Sequence, residues 1–193
     1  EEIIRPPSKL DDEEWTALCD FGGFPEPFLK RSRMFSSRWN RLRREQLLKS
    51  DIRDLTRISE IDQLGALAEI LANRSGEQLV YKALGNEVKI DEKTAKSWTA
   101  ALKYLFYGFE IRPWYKNVEN SIRKTPKWFL RDWALVVEPG KRFETMVACH
   151  LLKAVEGWTD LGLGEFELFY IRDKQKREVD FMVMRDREPW MLV

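Results

Sequence analysis

The chain is short of histidine, cysteine and net charge. It has one histidine and two cysteines, and 33 basic against 32 acidic residues leave a formal charge of +1 over 193 residues. Each shortage excludes a class of protein. With His150 alone, a His-rich metal centre is excluded and a Ser-His-Asp triad has no independent support; no G-x-S-x-G elbow occurs either. Cys19 and Cys149 lie far apart without paired spacing, which argues against a zinc knuckle or a disulfide framework and fits a reducing cytosol. No run of about eighteen apolar residues exists, and the start EEIIRPPSKL lacks the basic-then-apolar pattern of a secretory leader, so the expectation is a cytoplasmic protein without a membrane partner. A G-x-x-x-x-G-K-[ST] phosphate loop is also missing. Near-neutral charge means that any nucleic-acid footprint must come from local clustering. Starting at Glu1 without methionine, and stopping where a strand at Met191-Leu192-Val193 should continue, the chain reads as a piece of a longer protein.

What is present is an ordinary globular share of apolar residues, 44%, with no internal repeat or low-complexity tract. Asp11 to Cys19 (DDEEWTALC) predicts a short helix with acids in its first turn, where the helix dipole favours them. The glycines and prolines of Phe21 to Leu29 (FGGFPEPFL) predict a turn, and Lys30 to Lys49 predicts a helix with one apolar and one arginine-rich face. From Ile52 through Leu55, Ile58 and on to Leu71, apolar residues recur every three or four positions, the spacing of a pair of helices. Glu77 to Leu84 predicts a short helix stopped by Gly85, and Asp91 caps the next helix, whose inward stripe is Ala95, Trp98, Leu102 and Leu105. That is a helix-turn-helix pattern. FEIRPWY and PKWFLRDWAL, aromatic segments split by a polar linker, suit an edge hairpin and complete a winged helix. Beyond Pro139-Gly140, Arg142 to Val155 predicts a packed helix. Glu165 to Ile171 and Glu178 to Met184 then predict a hairpin around RDKQKR, with a third strand from Trp190.

Two acids carry the candidate chemistry. Magnesium needs hard oxygen ligands, and phosphodiester-cleaving sites gather carboxylates from neighbouring elements. Glu144, on a helical face shared with Val147, Ala148 and Leu151, and Asp180, in the strand REVDFMVM, form the candidate catalytic and metal-ligating pair. Alternation places Asp180 on the sheet face opposite Val179 and Phe181. The plainer reading gives Glu144 a lysine partner and leaves Asp180 facing solvent. Arg31, Arg33, Arg38, Arg41, Arg43 and Arg44 surround Trp39 with Glu45 as local counter-charge. Arg38, Arg41 and Arg44, with Lys93 and Lys96 near the start of the second helix of the helix-turn-helix, are the candidate nucleic-acid-binding residues. A solvated helix face and a protein-packing winged helix are the alternatives.

In their order, these motifs resemble a prokaryotic AAA+-type ATPase family whose members carry a C-terminal domain of uncharacterised function related to PD-(D/E)XK nucleases. GGFPEPFL looks like the family's lid-region GGFPE signature, and LLKSDIRDLTRISEIDQLGALAEILANRSG is similar to its helical stretch. YKALGNEVKIDEKTAKSWTAALKYLFYGFEIRPW resembles the winged helix, and TPKWFLRDWAL its Lys-x-Tyr/Phe-x-x-Asp pattern. RFETMVACHLLK and REVDFMV look like the start of the nuclease-like domain. The resemblance implies an α+β multidomain chain: a helical lid remnant over 1–60, a winged helix over 61–137, and a truncated restriction-endonuclease-like α/β domain over 138–193. It implies a metal-facing acid at Glu144 and the motif's aspartate at Asp180, with the Glu-x-Lys beyond Val193. It further implies ATP and Mg2+ for the intact parent, with its P-loop upstream and no cofactor bound to this piece. DNA and the upstream ATPase domain are the expected partners. The piece itself is expected to be catalytically inactive within a DNA-processing parent; the alternatives are a winged-helix module that docks DNA or a partner, or a sensor of nucleotide state.

Overall fold

Short polar side chains set where the helices begin. The computed structural model describes residues 9–48, 60–115, 125–173, 175 and 177–193. Within them lie helices α1 (Asp12–Phe21), α2 (Pro25–Lys30), α3 (Arg33–Gln46), α4 (Ile61–Asn73), α5 (Tyr81–Val88), α6 (Glu92–Tyr104) and α7 (Pro139–Asp160). The strands are β1 (Gly108–Pro113), β2 (Lys127–Leu130), β3 (Phe166–Arg172), β4 (Glu178–Arg185) and β5 (Glu188–Leu192), and a 3-10 turn spans Trp133–Leu135. Asp11 starts α1 by accepting from the Glu14 amide at 2.7 Å. Asp91 starts α6 by accepting from the amides of Lys93 and Thr94, and Glu138 starts α7 through those of Gly140 and Lys141.

Two sequence expectations are corrected here. The FGGFPEPFL segment is not all turn, because its prolines fall in the first turn of α2, where a missing amide hydrogen costs nothing. Gly85 does not stop a helix; it lies inside α5, and the stop is Lys89 in left-handed conformation at φ 59°. Gly85 is there because the next turn passes close by: a Cβ on it would sit 2.6 Å from the Ile90 carbonyl oxygen. The expected helix through Ile52, Leu55 and Ile58, the linker 116–124 and part of the RDKQKR turn lie outside the described residues.

A five-stranded mixed sheet, in the order β2-β1-β3-β4-β5, forms the frame. β1 and β2 pair antiparallel, β1 and β3 parallel through Arg112↔Phe169 and Pro113↔Tyr170, and β3-β4-β5 form an antiparallel meander. The sheet therefore runs unbroken across residue 137, and α7 packs on both β2 and β3. β2 is buried along its whole length because its two faces meet different cores. Trp128 joins Leu64, Leu67, Leu71, Leu84 and Leu102 of the helical core, while Phe129 joins Phe109, Ala148 and Phe181 between sheet and α7. Each such side chain contributes about 1.5–3 kcal/mol on burial. The result is an α+β molecule in which, among the described residues, no helix is long and apolar enough to cross a membrane.

Candidate functional site

A lysine at the start of β2 is drawn into a group of acids. The Lys127 side chain is 7% exposed, and its Nζ lies 2.5 Å from Glu178 Oε1, 3.1 Å from Glu144 Oε1 and 3.3 Å from Asp180 Oδ1. Arg172 adds a second cation, 3.6 Å from Glu178. Glu144 is held in place from its neighbour: the Thr145 hydroxyl and that of Ser75 are 2.8 Å apart in a buried pair, and Ser75 also accepts from the Leu130 amide. The same loop passes so close that a Cβ on Gly76, at φ 86°, would stand 2.9 Å from a Glu144 carboxylate oxygen.

Simple alternation would put Asp180 and Phe181 on opposite faces of the sheet. The ladder between β3 and β4 shifts register here: Phe169 faces Met182 and Ile171 faces Val179, so Tyr170 opposes both Asp180 and Phe181. A bulge of this kind turns two successive side chains toward one face. Phe181 packs on Phe129 and Ala148 under α7, and Asp180 reaches the lysine that Glu144 also holds. The expectation that Asp180 and Phe181 sit on opposite faces is thus corrected, and the two candidate acids converge.

Charge in the cluster is unevenly satisfied. Burial pulls the Lys127 pKa down, but hydrogen bonds and charge from Glu178 and Glu144 outweigh it and hold the ammonium above the ordinary lysine value. Glu144 is nonetheless pushed up, first by burial and then by Asp180 and Glu178, against the pull of Lys127. One ammonium shared among three carboxylates accounts for both directions. The acids converge on the lysine's own cation, and among the described residues no group of three or more His, Cys, Asp or Glu is set to hold a metal ion.

The basic candidates separate into tied and free. Four of the six arginines around Trp39 meet acids from other elements: Arg31 with Glu13, Arg33 with Asp20, Arg43 with Asp132 and Arg44 with Glu69, at 3.8–3.9 Å. Arg38 and Arg41 have no side-chain partner among the described residues. Lys93 and Lys96 are exposed on α6, whose opposite face buries Ala95, Trp98, Thr99 and Leu102.

A second buried charge ties the N-terminal helices to the sheet. Asp132, 4% exposed in its side chain, faces Arg43, whose guanidinium stacks 3.9 Å from the Phe24 ring centroid. Burial raises the Asp132 pKa to about 6, held back by Arg43 and the Ala134 amide. The glycines of GGFPE permit this docking, since a Cβ on Gly22 would lie 2.7 Å from Asp132 and one on Gly23 2.4 Å from the Trp133 ring. Trp133 also donates to the Leu18 carbonyl at 2.9 Å.

Sequence reasoning singled out Glu144 and Asp180 but missed Lys127 and Glu178 as their partners. The signal for Lys127 was present: a charged residue heading an aromatic strand, in the Lys-x-Tyr/Phe-x-x-Asp motif whose two charged ends, Lys127 and Asp132, are the buried charged residues among those described.

Residues 12–139 match the model of a domain of unknown function, DUF8612, and the chain belongs to that family. The match takes in Lys127, Asp132 and α6 and stops before Glu144. The chain is similar to uncharacterized protein Rv2008c of Mycobacterium tuberculosis and uncharacterized protein Mb2031c of Mycobacterium bovis, each 24% identical over 177 residues. These alignments cover 88% of this chain and 40% of the relatives, so the chain spans well under half the length of either. No solved structure matches it.

Proposed function

We propose that this chain is the nucleic-acid-docking arm of a larger ATP-dependent protein, built as a winged helix fused to a nuclease-like α/β layer. The carrying observation is the placement of Lys93 and Lys96, exposed on the outer face of α6 in a three-helix unit closed by a hairpin. The antiparallel bridge Gln78↔Lys127 supports the winged-helix reading, because it supplies the short strand such units carry between their first two helices. Lysines near the start of a second helix are where helix-turn-helix units meet DNA. Arg38 and Arg41, free of acid partners, add phosphate contacts.

Fluorescence anisotropy with a labelled duplex tests this. The chain is expected to bind at about 50 mM salt and to release steeply by about 200 mM. Reversing both charges (K93E with K96E) should lower the salt slope by about two phosphate contacts. An absence of binding at low salt, or identical binding by the double variant, refutes the proposal.

A second reading has one observation in its favour, the convergence of Glu144, Glu178 and Asp180 on a single point. In it the intact protein, supplied with ATP and Mg2+, processes DNA. The three acids, which are not set to hold a metal as they stand, would have to close on the cation once Lys127 moved aside, and the cation would stabilise charge on the phosphodiester. Magnesium-dependent cleavage by the intact protein, abolished in Asp180→Ala, is the expected result; equal cleavage by that variant sinks it.

A further inference from the structure

Between α3 and α4 lies a cleft of about 600 Å³, in the size range of small-ligand sites. Three kinds of group line it. Asn40 and Arg41 from α3 and Asn73 from α4 have side chains with no hydrogen-bond or ion-pair partner among the described residues, which leaves their donors for a ligand. Arg44 and Glu69 pair weakly across the cleft at 3.9 Å. Behind them the wall is apolar, from Leu47, Leu135 and the ring of Tyr107, and that ring is fixed because its hydroxyl donates to the Ala68 carbonyl at 3.0 Å.

We infer that this cleft binds a nucleotide, with Arg41 and Arg44 receiving the phosphate, the free amides of Asn40 and Asn73 its polar edges, and the Tyr107–Leu135 wall the base. Arginine forks suit phosphate oxygens, and a planar base gains from an apolar, aromatic wall. Glu69 supplies what a bare anion could not use, an acceptor for sugar hydroxyls or a base amino group. The site shares Arg41 with the DNA-docking proposal but none of the α6 lysines that carry it, so the inference goes beyond that proposal and the Lys93 and Lys96 reversal tells the two apart.

Isothermal titration of the 193-residue chain with AMP, adenosine and inorganic phosphate tests it. AMP is expected to bind more tightly than either adenosine or phosphate, and more weakly as salt rises. Arg41→Ala, at an exposed position where folding is not at stake, should weaken AMP about tenfold or more, the scale of a lost charge-assisted hydrogen bond. Lys82→Ala, an equal loss of exposed charge on α5, should leave it unchanged, as should the reversal of Lys93 and Lys96. Failure of AMP to bind, phosphate binding as tightly as AMP, or an Arg41→Ala variant indistinguishable from wild type would each overturn the inference.

Discussion

Replacing Lys127 with methionine keeps the unbranched stem of the side chain and removes the ammonium from the middle of three carboxylates. Losing one partner of a fully buried ion pair costs about 3–5 kcal/mol. Here the cost should be smaller, because Glu144 and Glu178 are 25% and 23% exposed and Asp180 is 57% exposed, so water screens what the ammonium leaves behind. A loss of about 2–3 kcal/mol at neutral pH follows, a fall in Tm of about 5–10 °C for a chain of this size. The sign of the pH dependence is fixed by Glu144, whose folded pKa already lies above its ordinary value through burial. An acid with a raised folded pKa destabilises the fold when charged, and that penalty fades as pH falls through the folded value. Without Lys127 the acids repel one another and Glu144 loses the ammonium that pulls its pKa down, so Glu144 takes up a proton more readily and the deficit should shrink as pH falls from neutral. Millimolar Mg2+ should raise the Tm of the variant and leave wild type unchanged, since only the variant has uncompensated acids to offer. Differential scanning fluorimetry across pH and Mg2+ reads all three effects. A variant within about 1 °C of wild type at neutral pH, or a deficit that does not move with pH, would refute the account of one cation serving three acids.

Asp132 predicts a second, opposite use of pH. Its folded pKa of about 6 lies above the ordinary 3.8, so wild type should gain on Asp132→Asn as pH falls through that interval, by about 3 kcal/mol in all, readable from urea midpoints at pH 7 and 4. Gly85→Ala should destabilise by about 1–3 kcal/mol, although the same change in an open helix stabilises by about 1 kcal/mol, because the new Cβ meets the Ile90 carbonyl oxygen at 2.6 Å. Gly23→Ala should loosen α1–α3 from the sheet and be seen as a change in the fluorescence of Trp133, whose ring the new methyl would strike.

Much of the local structure was legible because it rests on local chemistry. Asp91 as a cap, the buried stripe Ala95, Trp98 and Leu102, and the strands around REVDF all follow from spacing and from side chains that reach a few residues along the chain. What escaped depends on distant partners. The glycines of GGFPE read as turn residues, and only the approach of Asp132 and Trp133, more than a hundred residues on, shows that they are also a docking surface. Asp180 read as lying on the face opposite Phe181 because alternation assumes an unbroken ladder, and the bulge opposite Tyr170 breaks it. Lys127 lies 17 residues from Glu144 and 53 from Asp180, so no window of sequence contains the group they form. The arginines looked like one basic patch for the same reason; the acids that tie four of them come from α1, α4 and the 3-10 turn region, and one from the end of α1.

The stretch from Lys127 to Asp132 joins the parts of the molecule. Trp128 enters the helical core, Phe129 the sheet core, Lys127 the acid cluster, and Asp132 the arginine that holds the N-terminal helices. Two buried charges at the ends of one short aromatic segment are costly unless both are paired, and their partners come from different elements, α7 and β4 for Lys127 and α3 for Asp132. The segment's charges therefore act first as ties. Any metal-dependent chemistry at Glu144, Glu178 and Asp180 has to begin with Lys127 withdrawn, and a withdrawal that moved β2 would disturb the hairpin that packs against α6 and α4. Binding at the α6 surface and a change at the acids would then be two ends of one movement, whereas a Lys127 that stays in place makes the cluster a structural clamp.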